Sequence, residues 1–251
     1  MKVRLTVFLA LVLSGCANEP WDEGNAVAQA VEPSLRAAAA AAEASHDYKG
    51  AVQHLGTLYQ RRGDDKGIAI ALARNMRYSG QAQGAADIMQ GQLTRLPNDP
   101  DLLIELGKDY LAADRVALAL RTLEQGQPYA ATRWELFATK AVALDTLGRN
   151  QDAQAAYGRA LELSPDNPAI LNNLGLSQAL AGRLDEGIAT LARAADLPTA
   201  PTQLRQNLAL LLALKGDAAQ AEKLTRNGLA PEVARANSEV LRAIAASAKR
   251  Q

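Results

Sequence analysis

Cysteine is all but absent from this chain. Cys16 is the only one in 251 residues, so no second thiol exists to close a disulfide or complete a thiolate metal site. Histidine is nearly as scarce: His46 falls at a turn and His54 near the middle of a helix. The two lack the i, i+4 spacing of a helical metal pair and no acidic cluster joins them, so both read as surface histidines. An excess of one charge is missing too. Lys and Arg number 27, as do Asp and Glu, and no basic patch of the kind that neutralises phosphates stands out, which sets nucleic acid aside as a partner. There is no glycine-rich phosphate loop and no serine in a nucleophile elbow. The acidic pairs Asp64-Asp65 and Asp185-Glu186 fall where a solvated turn or a helix start accounts for them. The chain therefore reads as a non-enzyme with no cofactor, no metal site and no small-molecule substrate. Aromatic residues, at 4 %, give way to Ala and Leu, which favour helices and let helix axes approach closely.

Long apolar runs are lacking as well, and one short run is at the N-terminus. Lys2 and Arg4 precede Leu5 to Leu13, the order of charge and then apolar core that marks a secretory signal peptide. Nine such residues make a helix of only ~14 Å, against ~30 Å for the bilayer core, so no lasting span is expected. Leu13-Ser14-Gly15-Cys16 follows. It resembles the lipobox of bacterial lipoproteins, in which cleavage before the cysteine leaves a lipidated N-terminus, and that would explain the solitary thiol. The resemblance implies removal of residues 1–15, lipidation (palmitate included) at Cys16 and permanent anchoring through several acyl chains. Ala17 in place of Asp implies, by the enterobacterial sorting pattern, the outer membrane, with the protein facing the periplasm. Residues 16–31 then read as the lipidated cysteine and a short polar tether.

Beyond residue 31 the chain repeats itself. Turn glycines recur at Gly80, Gly148, Gly182 and Gly216, small residues at Ala85, Ala153, Gly187 and Ala221, and prolines at Pro97 and Pro165. This resembles the tetratricopeptide repeat (TPR), a helix–turn–helix unit of 34 residues with small residues at positions 8, 20 and 27. The frame divides into 32–65, 66–99, 100–133, 134–167, 168–201 and 202–231, with 232–251 as a capping helix and tail. The unit from Trp134 is clearest, with Phe137, Ala141, Leu144, Gly148, Ala153, Tyr157, Ala160 and Pro165 in place. The first is weakest, being nearly all Ala from Ala37 to Ala42. The fold implied is all-α, a right-handed superhelix of TPR hairpins in which each unit buries its apolar face against its neighbours and a last helix solvates the open end.

In TPR arrays the concave face is lined by repeat positions 2, 5, 6, 9, 12 and 13, and a partner protein is expected there. In the N-terminal half these positions include Arg74, Arg77, Tyr78, Glu105 and Lys108; in the C-terminal half, Asn172, Asn173, Leu176, Gln206, Asn207 and Leu210. Asn173 and Asn207, one repeat apart, can donate to and accept from a bound backbone, with Leu176 and Leu210 as an apolar floor; equally, the amides can simply solvate helix surfaces. The Lys/Asn/Arg set of the chaperone-tail TPRs is incomplete, since Gln203 stands where the Lys is needed. The C-terminal third carries Asn173-Leu174-Gly175-Leu176, Ala181-Gly182-Arg183-Leu184-Asp185-Glu186, Gln206-Asn207-Leu208-Ala209-Leu210 and Ala230-Pro231-Glu232-Val233-Ala234-Arg235-Ala236-Asn237. With the lipobox, these segments resemble the TadD family, the TPR lipoproteins of the tight-adherence (Flp pilus) secretion apparatus. That resemblance implies a pilotin-like assembly factor for pilus export and adherence, whose protein partner is the outer-membrane secretin. Another envelope adaptor, serving barrel assembly or cell-wall hydrolases, would share the fold and differ in groove chemistry.

Overall fold

The structure, a computed structural model, describes residues 23–225 and 231–248. The signal peptide, Cys16, the first part of the tether and the Gly228–Ala230 segment lie outside the described residues. Within them the chain forms thirteen helices and no strand. The first is long, α1 (Glu23–Ala44). It pairs with α2 (Tyr48–Arg61), and further hairpins follow as α3 (Lys66–Tyr78) with α4 (Ala82–Leu93), α5 (Pro100–Ala112) with α6 (Val116–Gly126), α7 (Trp134–Thr146) with α8 (Asn150–Leu163), and α9 (Pro168–Leu180) with α10 (Leu184–Ala195), before α11 (Thr202–Leu214). α12 (Ala218–Thr225) and α13 (Pro231–Ala248) complete the described helices. No described helix is long and apolar enough to cross a membrane.

The period of the sequence is a period of geometry. First helices begin at Lys66, Pro100, Trp134, Pro168 and Thr202, second helices at Tyr48, Ala82, Val116, Asn150, Leu184 and Ala218, each one 34-residue TPR length after the last. Between the two helices of every unit one residue adopts positive φ: His46, Gly80, Asp114, Gly148, Gly182 and Gly216. That left-handed residue ends the first helix and redirects the chain into the second. Helix starts are fixed where an acceptor side chain precedes them. Asp65 Oδ1 accepts from the Ile68 amide, Asp99 Oδ1 from Asp101 and Leu102, and Asn167 Oδ1 from Ala169 and Ile170, satisfying amides that the helix itself cannot.

Small residues set the packing distance. Ala73, Ala141 and Ala209 in the first helices are fully buried, as are Ala85, Ala119, Ala153 and Ala221 in the second. The closest approach joins α9 to α10, where a methyl on Gly187 would lie 2.5 Å from the Gly175 carbonyl oxygen. Each second helix packs on its own first helix and on the first helix of the next unit. Consecutive first helices from α3 to α13 also touch one another, whereas consecutive second helices stand farther apart. The first helices thus form the inner, concave wall of the superhelix and the second helices its outer wall.

Two differences from the sequence reading concern the ends. Residues 23–31, read as polar tether, are the first turns of α1. Polar residues there do not break a helix: Ala26, Ala28 and Ala30 are among the strongest helix formers, and Pro33 inside the helix removes only one ladder bond. At the other end α13 covers α11 and α12 through Leu241 and Ala245, but its outer side carries exposed Val233 and Val240, so the closing helix is not uniformly polar.

Candidate partner-binding groove

The inner faces of α3, α5, α7 and α9 enclose one continuous cleft of about 550 Å³. Arg74 and Arg77 stand at its N-terminal end, Lys108 and Glu105 beside them, Trp134, Thr139 and Val142 along the middle, and Asn173 at the far end. The middle lining, from Glu135 to Val142, occupies repeat positions 2, 5, 6 and 9, so the same position rule that selected the outer residues would have found it.

The cations at the N-terminal end are not equivalent. Arg77 is largely buried between two carboxylates: its Nη1 donates to Asp109, and its Nη2 to Glu105 Oε2 at 2.9 Å. Sequence reading placed Arg77 on the groove surface as a contact for a partner; in the fold its guanidinium is spent on neighbouring helix α5. Lys108 Nζ donates to Glu105 Oε1 at 2.6 Å. Glu105 is pushed up by burial but held below its ordinary value by Lys108 and Arg77. Asp109, with no exposed side-chain surface, is pushed up by burial to about 6 even with Arg77 against it. Arg74 is exposed and has no ion-pair partner among the described residues. Beside it Tyr78 is more than half exposed and stacks against Tyr48, ring centroids 5.0 Å apart, with the Arg77 guanidinium over its face.

At the C-terminal end the amides form a relay across two units. Gln203 Nε2 donates to Asn207 Oδ1 at 3.3 Å, Asn207 Nδ2 to Asn172 Oδ1 at 2.8 Å, and Asn172 Nδ2 to Asn173 Oδ1 at 3.1 Å. The amides of Asn172 and Asn207 therefore join α9 to α11, and the chain of donors ends at Asn173, which faces the cleft. Leu176 is half-buried against the core. Leu210, Leu180 and Leu214 are exposed, Leu180 at 76 %, so α9 and α11 present four leucines at repeat positions 9 and 13. Gln206 lies half-buried on α11 and lines no part of the cleft.

One rule of the groove is invisible in a single repeat. Position 12 of a unit meets position 10 of the next: Asn75 donates to Glu43, Arg77 to Asp109, and Ser177 to Asp145 at 2.8 Å. Asn75, Asp109 and Ser177 are buried polar residues; these bonds satisfy one polar atom of each, while Asn75 Oδ1 and Asp109 Oδ2 have no hydrogen-bond partner among the described residues. At the remaining junctions the same two positions hold Leu111 with Ala143, and Ala179 with Leu211, which are apolar.

A second cleft, of about 730 Å³, opens on the outer wall between α10, α11 and α12. Its floor is core, Leu208 and Leu212 among it. Among the described residues no group of three or more His, Cys, Asp or Glu is placed to hold a metal ion.

Repeating hairpins on one 34-residue period, joined through small residues and presenting an inner groove, define a fold of the TPR type. Residues 139–202 match the tetratricopeptide repeat family directly. The chain is 33 % identical over 98 residues to an uncharacterized protein, y4yS, of Sinorhizobium fredii, a match covering 39 % of this chain and 54 % of that one, so it spans about half the length of this relative. Among solved structures it resembles TTC0263, a thermophilic TPR protein of Thermus thermophilus, with a TM-score of 0.66 and 22 % identity over 72 % of this chain and 98 % of that one. It also resembles PilW, a type IV pilus biogenesis factor, with a TM-score of 0.63 and 16 % identity over 77 % and 90 %. At these identities the two structural likenesses are likenesses of fold.

Proposed function

We propose that the protein is an outer-membrane lipoprotein, held by lipid on Cys16, whose inner groove binds a segment of another protein and catalyses nothing. Within that class we assign it to the tight-adherence pilus system, as a pilotin-like assembly factor for the outer-membrane secretin. The observation that carries the binding role is the continuous cleft across four successive first helices. At one end stands an arginine without an ion-pair partner among the described residues, and at the other an amide relay. The lipobox at Leu13–Cys16 supports the anchor, and the segments from Asn173 to Asn237 support the pilus assignment. PilW is described as a type IV pilus biogenesis factor, which makes a pilus role compatible with this fold. Anchoring has a physical logic here, since confining factor and client to one membrane surface raises their effective concentration without any new contact.

The test is a crosslinking pull-down from cell envelopes with the native protein and an Asn173→Ala/Asn207→Ala/Leu210→Asp variant. Recovery of the secretin by the native protein alone supports both partner and groove. Recovery of a different client sinks the secretin, and equal capture by the variant sinks the groove. In the same cells Cys16→Ala is expected to leave the membrane fraction, and its retention there would overturn the lipid anchor.

A further inference from the structure

The groove is polarised, and its polarity specifies what fits in it. Along α3, α5 and the start of α7, every basic side chain save one is already answered by a carboxylate. Lys66 bonds Asp99 and Asp101, Arg133 bonds Asp101 and Glu135, Lys108 bonds Glu105, and Arg77 is held by Glu105 and Asp109. Arg74 lines the cleft, is exposed, and has no such partner among the described residues. Burial of anything against it that lacks a negative charge would strip its hydration without return, whereas a carboxylate can pair with its planar fork through two bonds. The opposite end is of another character. There Asn173 ends the amide relay, and beyond the residues that line the cleft Leu180, Leu210 and Leu214 are exposed and Leu176 is half-buried on α9 and α11. Single exposed leucines are ordinary, but these four repeat at positions 9 and 13 of adjacent units, so α9 and α11 present the same apolar pair one step apart.

From this arrangement we infer that the groove takes an extended peptide segment bearing an acidic side chain for Arg74 and, about eight to eleven residues away, a pair of aliphatic side chains for the leucines. The spacing follows from the fold. Arg74 sits on α3 and the leucines on α9 and α11, three and four first-helix steps away, and neighbouring packed helices lie ~8–10 Å apart; the resulting ~27–36 Å is spanned by roughly eight to eleven residues of extended chain at ~3.3 Å each. Tyr78 lies beside the acidic end and Trp134 in the middle, so aromatic faces flank the path of the backbone.

This inference rests on the groove reading above, and the experiment separates the two. A phage-displayed random dodecapeptide library is panned on the full-length, detergent-solubilised protein, and a selected peptide is then synthesised and titrated by fluorescence anisotropy against native protein, Arg74→Gln, Arg74→Lys and Leu210→Asp. We expect selected sequences to share an acidic residue about eight to eleven positions from an aliphatic pair. Arg74→Gln should weaken the peptide at least tenfold, Arg74→Lys should recover part of that, and Leu210→Asp should weaken it independently. Selected peptides that lack the acid, or bind Arg74→Gln as well as native protein while still losing to Leu210→Asp, overturn the acidic half and leave the groove. Peptides indifferent to both sites overturn the groove and this inference together.

Discussion

Asp114 and His46 stand in the left-handed backbone position that glycine holds in the other four turns, with φ of 58° and 60°. A side chain there crowds the following carbonyl, at a cost of about 1–2 kcal/mol for most residues and less for Asp, whose short carboxylate can bond locally. The turns are otherwise open: a methyl on Gly80, Gly148 or Gly182 meets nothing within 4 Å. Strain, not collision, is therefore the whole effect of substitution at this position. Asp114→Gly is expected to stabilise the fold by ~0.5 kcal/mol, the relief of strain being partly offset by the greater freedom of glycine in the unfolded chain. Gly148→Ala is expected to destabilise it by about 1 kcal/mol, and urea denaturation of both variants reads the two signs. Asp109 makes a second prediction, one of pH. Its carboxyl titrates at about 6 in the fold because burial outweighs Arg77, against 3.8 for the free group. A raised carboxyl disfavours the folded state at neutral pH, so this contribution improves as pH falls through 6 toward 4. Asp145, also raised by burial despite the Ser177 hydroxyl, acts in the same sense. Glu105 and Asp101 are held low by their cations, so their stabilisation is present above the ordinary carboxylate range and lost below it. Thermal stability should thus rise between pH 7 and about 5 and fall again below about 4, and Asp109→Asn should remove most of the rise. A melting temperature that climbs steadily from pH 5 to pH 7 in the native protein would contradict this.

At the scale of the helix, Asp99 does two things with two oxygens. Oδ1 accepts the Asp101 and Leu102 amides at the start of α5, and Oδ2 takes Lys66 Nζ from the start of α3 at 2.8 Å. Asp99→Ala removes an N-cap, typically ~1 kcal/mol, together with a partly exposed ion pair whose loss adds a few tenths. Asp99→Asn keeps the cap and should retain most of the stability; denaturation of the two variants separates cap from charge. The helices were legible in the sequence because the period imposes them; of their caps the sequence marks only Asp65 as a possible helix start, although position 34 of a unit precedes the next first helix and Asp99 and Asn167 stand there too. The fold class was legible for the same reason. The extent of α1 was not, because an alanine-rich helix with polar residues and a polar tether share a composition. The site was legible in part. Repeat positions selected Arg74, Lys108 and Asn173, which do line the cleft. They also selected Arg77, and position alone could not show that its charge is consumed by Asp109, a residue 32 places along the chain whose burial depends on how α3 meets α5.

The whole molecule is a one-dimensional stack, and its stability should be distributed accordingly. Buried side chains fall into four successive clusters. The first, between α1 and α3, holds Ala39, Ala51, Leu55, Leu58, Ile68 and Leu72, largely small or aliphatic groups. The largest lies across α5 to α9 and contains Phe137, Tyr157, Leu123, Leu136, Leu144 and Ile170. In such a stack each unit is stabilised by itself and by its neighbours only, so opening begins at an end and propagates inward. Amide hydrogen exchange should be fastest in α1, α2 and α13 and slowest in α7 and α8. Position should also decide how far a lesion is felt. Leu58→Ala and Leu136→Ala each remove a side chain that is at most 1 % exposed, and each should cost ~2–5 kcal/mol locally. At Leu58 the damage falls on a unit with one neighbour, and faster exchange should stay within α1 to α3. Leu136 packs in the central cluster and within 3.2 Å of where a methyl on Gly126 would sit, so its loss weakens the contact between α6 and α7 on which both halves lean. Exchange should then quicken in α3 to α6 and in α8 to α11 alike. If Leu58→Ala instead accelerated exchange in every helix, the array would be folding as a single cooperative unit, and a partner seated across four of its first helices would be gripped by a rigid groove rather than one that can open unit by unit.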